Sequence, residues 1–143
     1  AIYFYRGNFD RAIVEYSEAI RRNPKFPDAY KNRGDAYQKK RQYDRAIADY
    51  DEAIRLDPNS AVAYAARGVA YFEKRTYADA IADFGAAIKL DPTLVSAYVD
   101  RALAHERLGR RTDAIADFRR ALLLDPANQQ GSSGLKRLGA AAY

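Results

Sequence analysis

Apolar positions recur along this chain with a helical period. In residues 44–58, DRAIADYDEAIRLDP, the side chains of Ala46, Ile47, Tyr50, Ala53 and Ile54 share one face, while Asp44, Arg45, Asp49, Asp51 and Glu52 lie mostly off it. Steps of three and four residues predict an amphipathic helix that buries one stripe and solvates the other. The phrase returns loosely at 10–24, 78–92 and 112–126, and each copy closes on a proline. Proline cannot continue a helix, so each copy stops there. Pro24, Pro58, Pro92 and Pro126 are 34 residues apart each time, with no insertion or deletion.

The stretches between these phrases predict a second helix per unit, as in DAYKNRGDAYQKK at 28–40 and AVAYAARGVAYFEK at 61–74. Pro27 starts its helix, where a missing N–H does no harm. Repeated positions hold Tyr30, Tyr64 and Tyr98, then Gly34, Gly68 and Ala102, then Tyr37, Tyr71 and His105. Glycine in mid-helix costs about 1 kcal/mol against alanine, so its recurrence predicts two helices packed too closely for a side chain. A fixed period of this length marks stacked supersecondary units, none of which can bury its apolar stripe alone.

An aromatic, a small residue, an aromatic, then alanine, aromatic, alanine and proline at these places resemble the tetratricopeptide repeat. Residues 27–60 supply Tyr30, Gly34, Tyr37, Ala46, Tyr50, Ala53 and Pro58. Residues 61–94 supply the same set, and 95–128 depart only at Ala102 and His105. Residues 1–26 hold the end of a partial repeat, with Ala12, Tyr16, Ala19 and Pro24. Residues 129–143 read as a capping helix anchored by Leu135 and Leu138 and weakened by Gly131 and Gly134. The resemblance implies one all-α domain, a right-handed α-solenoid of antiparallel helix pairs. Because the chain lacks an initiator methionine and begins inside a repeat, it reads as a piece of a longer protein.

Composition narrows the chemistry. With 143 residues, 48% hydrophobic and 30% charged, the chain is in the globular range. It has no cysteine and a single histidine, His105, which excludes disulfides, zinc-thiolate sites, cysteine nucleophiles and multi-histidine metal centres. No run is apolar enough for a membrane span. His105 occupies an aromatic core place, and the glycines are spread singly rather than in a phosphate loop. No enzyme activity, cofactor or metal is expected. Asp49, Asp83 and Asp117 recur at the period, as do Arg33, Arg67 and Arg101. The two rows predict a structural ladder of exposed pairs worth at most about 1 kcal/mol each; the turn residues Asp57, Asp91 and Asp125 are alternative partners for the arginines.

The family resemblance implies that ligands, usually peptides or helices, lie on a concave face lined by the first helix of each pair. Specificity then resides in outward positions that do not repeat. Val62, Ala65, Val69, Phe72, Val99 and Leu103 predict an apolar patch in mid-groove, beside a charged section that includes Lys31 and Asp35. Such a patch suits a partner protein's helix or strand. Some members of the family clamp the acidic C-termini of chaperones with lysine, asparagine and arginine on three successive first helices. Lys31 and Asn32 each fall at a clamp place, but the remaining places hold Val62 and Ala66 in one register and Asp35, Ala66 and Asp100 in the other, so no chaperone clamp is expected.

The net charge is +5. Lys39, Lys40, Arg41, Lys74, Arg75, Arg107, Arg110 and Arg111 all fall at the turns within pairs. Cations there complement helix C-termini, which accounts for them without nucleic acid. Two alternatives to a peptide-binding scaffold stand. One is self-association through the end of the stack around Ile2, Tyr3, Phe9 and Ile13; the other is recruitment of substrates for a catalytic domain outside this chain. No compartment follows from these residues.

Overall fold

The computed structural model describes residues 8–142 and is helical throughout, with no strand among the described residues. Helices α1 (Phe9–Arg22), α2 (Pro27–Lys39), α3 (Tyr43–Leu56), α4 (Ala61–Glu73), α5 (Tyr77–Leu90), α6 (Val95–Arg107), α7 (Arg111–Leu124) and α8 (Gln129–Arg137) follow in order. Each packs on the next, giving the pairs α2/α3, α4/α5 and α6/α7 with α1 before them and α8 after. The first helices α2, α4, α6 and α8 also touch one another in succession, whereas the second helices α3, α5 and α7 make no comparable contact. The array therefore curves with the first helices inside, as an all-α solenoid.

The core is built from the repeated small and aromatic residues. Tyr50, Phe84 and Phe118 are fully buried, as are Ala46, Ala80 and Ala114. A Cβ on Gly34 would lie 2.8 Å from the Tyr50 ring, and one on Gly68 would lie 2.7 Å from Phe84. These distances are far inside van der Waals contact, so the mid-helix glycines are there for close approach. Gly134 serves likewise in α8: its added Cβ would meet the Phe118 ring at 2.5 Å. The same residue that weakens α8 as an isolated helix lets it seat Leu135, 2% exposed, on the core of the last pair.

The arginine row pairs with the acidic row rather than with the turns. Arg33 donates to both oxygens of Asp49 (2.8 and 2.7 Å), Arg67 to both of Asp83 (2.8 and 2.8 Å), and Arg101 to both of Asp117 (2.8 and 2.8 Å). The expectation of exposed pairs is corrected here, because Asp49, Asp83 and Asp117 are buried. Their burial follows from the arginines, which lie against Tyr30, Tyr64 and Tyr98 at 5.6–6.0 Å and bring a compensating charge inside. Each arginine is held in its charged form chiefly by its hydrogen bonds to that aspartate. Asp57, Asp91 and Asp125 instead accept from the backbone N–H two residues on, closing the turns at Pro58, Pro92 and Pro126.

Cations at the turns are also absorbed by the scaffold. Lys40 pairs with Asp10 and Lys74 with Asp44, each bridge running to the preceding second helix. Arg111 donates to the carbonyl of Leu138 at the end of α8 (2.6 Å from Nη2). At the α1 end, Phe9 and Ile13 are half-buried, while Ile2 and Tyr3 lie outside the described residues.

Candidate functional groove

Among the described residues, hollows lie between successive first helices on the inner face of the array. One, of about 400 Å³, lies between α2 and α4 and is lined by Pro27, Asp28, Lys31, Asn32, Ala53, Asp57, Ser60, Val62 and Ala63. Another, of about 150 Å³, lies between α4 and α6 and is lined by Val69, Phe72, Glu73, Phe84, Asp100 and Leu103. The first helices hold these side chains because their opposite stripe, Gly68 and Ala70 on α4 and Ala97 and Ala104 on α6, is consumed by the core.

Of the residues read from sequence as a patch, Val62 is 55% exposed, and Ala65, Val69, Phe72 and Leu103 are half-buried. Val69, Phe72 and Leu103 meet in the smaller hollow, and Val62 sits with Lys31 in the larger. Val99 is a correction. It is 1% exposed and belongs to the core cluster of Tyr98, Phe118, Leu122 and Leu135. The terminal helix α8 packs against both α6 and α7, so a position left half-open on α4 as Ala65 is closed on α6.

Lys31 and Asp35 are brought together, but with each other: Lys31 Nζ donates to Asp35 at 2.7 Å, and Asp35 also accepts from the hydroxyl of buried Tyr50 (2.5 Å). The lysine is thus neutralised within its own helix. Phe72 is fixed by an edge contact with Tyr77 (centroids 5.2 Å apart), and the Arg107 guanidinium lies 5.5 Å over its ring.

Sequence reasoning left Glu73, Asp100 and the floor residue Phe84 out of the site. Asp100 is the most informative of these. Among the described residues it makes no hydrogen bond or ion pair, and burial raises its carboxyl to about 6. A lone acid in an otherwise apolar outward row between Val99 and Leu103 was the available signal. His105 is buried beside Asp117 (Nε2 to Oδ2 3.8 Å) with Nδ1 unpartnered, and burial lowers its pKa. Among the described residues no group of three or more His, Cys, Asp or Glu could hold a metal ion, and no helix is long and apolar enough to cross a membrane.

Comparison with known proteins gives the same picture. Family models described as Tetratricopeptide repeat match residues 27–60, 49–82 and 95–128, and one described as TPR repeat matches 1–41 and 71–109. No curated protein matches the chain. Among solved structures it is similar to the Arabidopsis OM64 TPR domain, at 37% identity over 78% of this chain and 93% of that one, TM-score 0.76. It is similar to the first TPR of Spaghetti (RPAP3) bound to the HSP90 peptide SRMEEVD, at 30% identity over 79% and 90%, TM-score 0.77. It is also similar to the second TPR domain of human RPAP3 in complex with the HSP70 peptide SGPTIEEVD, at 32% identity over 81% and 100%, TM-score 0.75.

Proposed function

Because this chain belongs to the tetratricopeptide repeat family, we propose that it is a non-catalytic protein-interaction module that holds a peptide or helix of a partner protein along its inner face. The observation that carries this reading is the run of accessible apolar side chains Val62, Ala65, Val69, Phe72 and Leu103, bordered by two hollows on the concave side. An apolar face left open while the rest of each helix is closed by its neighbours is where association with a partner gains most from water release. The similarity to RPAP3 domains solved with short peptides supports peptide binding here.

The partner differs from those peptides. Both end in the acidic sequence EEVD. Here Lys31 is engaged by Asp35, Val62 and Ala66 stand where a basic pair would sit, and Asp28, Glu73 and Asp100 leave the groove acidic. SRMEEVD and SGPTIEEVD are expected not to bind.

The test is retention of pools of random decapeptides on immobilised chain, compared with Val69→Asp and Phe72→Asp. Loss of retention with unchanged circular dichroism and melting supports the groove; retention that survives in both folded variants places the ligand elsewhere.

A further inference from the structure

The inner face of this basic protein is acidic where it is most apolar. The hollow between α4 and α6 is lined by two carboxylates, Glu73 and Asp100, and no cation. Three arginines of α4, α6 and α8 are engaged elsewhere: Arg67 with Asp83 and Asp51, Arg101 with Asp117, and Arg137 with Glu106. Arg107 lies over the Phe72 ring, which shows that this wall already accepts a guanidinium. Among the described residues the buried acids Asp49, Asp83 and Asp117 are each paired with an arginine, whereas half-buried Asp100, beside Val69, Phe72 and Leu103, has no partner, which is costly. At about 150 Å³ the hollow is far below the ~300–1,000 Å³ usual for small-molecule pockets and is of a size for one long side chain.

Resting on the groove reading above, we infer that this hollow is a subsite for a lysine or arginine of the bound polypeptide, its alkyl stem on Val69, Phe72 and Leu103 and its charged head on Asp100. Lysine and arginine alone combine an apolar stem with a cationic tip, which is the pairing of surfaces the hollow offers. Glu73, exposed at the rim, adds attraction during approach. The ligand class is therefore a peptide segment with a basic residue next to apolar ones.

The experiment uses a positional-scanning library of N-acetylated decapeptides, one position fixed per pool, on the immobilised chain and on Asp100→Asn, Asp100→Arg and Glu73→Gln, all checked for folding by circular dichroism. Pools fixed as Lys or Arg should be retained about tenfold over matched Glu pools, a charge-pair effect of ordinary size. That preference should disappear in Asp100→Asn and reverse in Asp100→Arg, while apolar pools are still held. Apolar retention without a basic preference, or a preference kept in Asp100→Asn but lost in Glu73→Gln, overturns the subsite and leaves the groove standing. No retention of any pool overturns the groove, and the subsite with it.

Discussion

Gly85 faces Nη1 of Arg101, a donor that makes no hydrogen bond to another group among the described residues. A Cβ on it would lie 3.6 Å from Nη1 of Arg101. One and two repeats earlier, the same donor reaches Asp51 (from Arg67, 2.9 Å) and Ser17 (from Arg33, 3.1 Å) in the preceding second helix. Gly85→Asp should restore that link between α5 and α6. Together with the helix gain over glycine, the expected stabilisation is about 1–2 kcal/mol, or roughly 2–6 °C in Tm for a chain of this size. Gly85→Ala supplies a helix gain alone, about 0.6 kcal/mol larger than aspartate's, so Gly85→Asp melting below Gly85→Ala by that full margin would rule out the link.

Arg67→Met should be severe. It leaves the Asp83 carboxylate buried with no partner, and removing one member of such a pair costs about 3 kcal/mol. Glu52→Ala, which breaks an exposed pair with Arg55 on the outer surface, should change stability by less than about 0.5 kcal/mol. Urea denaturation of both variants makes the comparison directly.

Asp100 and His105 should bend the pH dependence of stability in opposite directions. Burial raises Asp100 from an ordinary 3.8 to about 6, so between those values the folded chain holds a proton that the unfolded chain has released. Stability contributed by the protonated acid is therefore lost as pH rises from about 4 to 6. Asp100→Asn should stabilise at pH 7 by about 1–2 kcal/mol, the two-unit shift discounted for partial exposure, and the gain should vanish below pH 4. Burial lowers His105 below its ordinary 6.5, so the unfolded chain takes up a proton first and stability is lost as pH falls below that value. His105→Tyr, the residue type of the two preceding repeats, should remove that acid-side loss.

Arg41 and Arg75 follow α2 and α4 with φ of 61° and 66°, and Gly109 takes the equivalent place after α6 with φ of 73°. A left-handed conformation costs a residue with a Cβ about 1 kcal/mol or more, partly offset by glycine's greater freedom in the unfolded chain. Arg75→Gly should stabilise by about 0.5 kcal/mol and Gly109→Arg should cost as much, both read from thermal melts.

The repeat architecture was legible because it is carried by local rules. The prolines end helices, the glycines sit against Tyr50 and Phe84, and both signals recur at a fixed spacing. What escaped depends on neighbours far along the chain. Val99 looks outward on its own helix and is closed only by packing that includes Leu135, 36 residues on. The ladder aspartates look like solvated acids until the arginines, 16 residues before them, are seen to bring them inside. Asp100 stood in the outward row, but its lack of a partner among the described residues became visible only with Arg67, Arg101 and Arg137 paired elsewhere and Arg107 over the Phe72 ring.

The first helices touch one another only lightly, while each is gripped firmly by the second helices on either side. In such a row each helix pair is held by its immediate neighbours alone. A polypeptide spanning α4 and α6 would act as a crossbar on the open side, where the protein supplies little of its own. Its mechanical effect would be to make neighbouring repeats bend, and come apart, together.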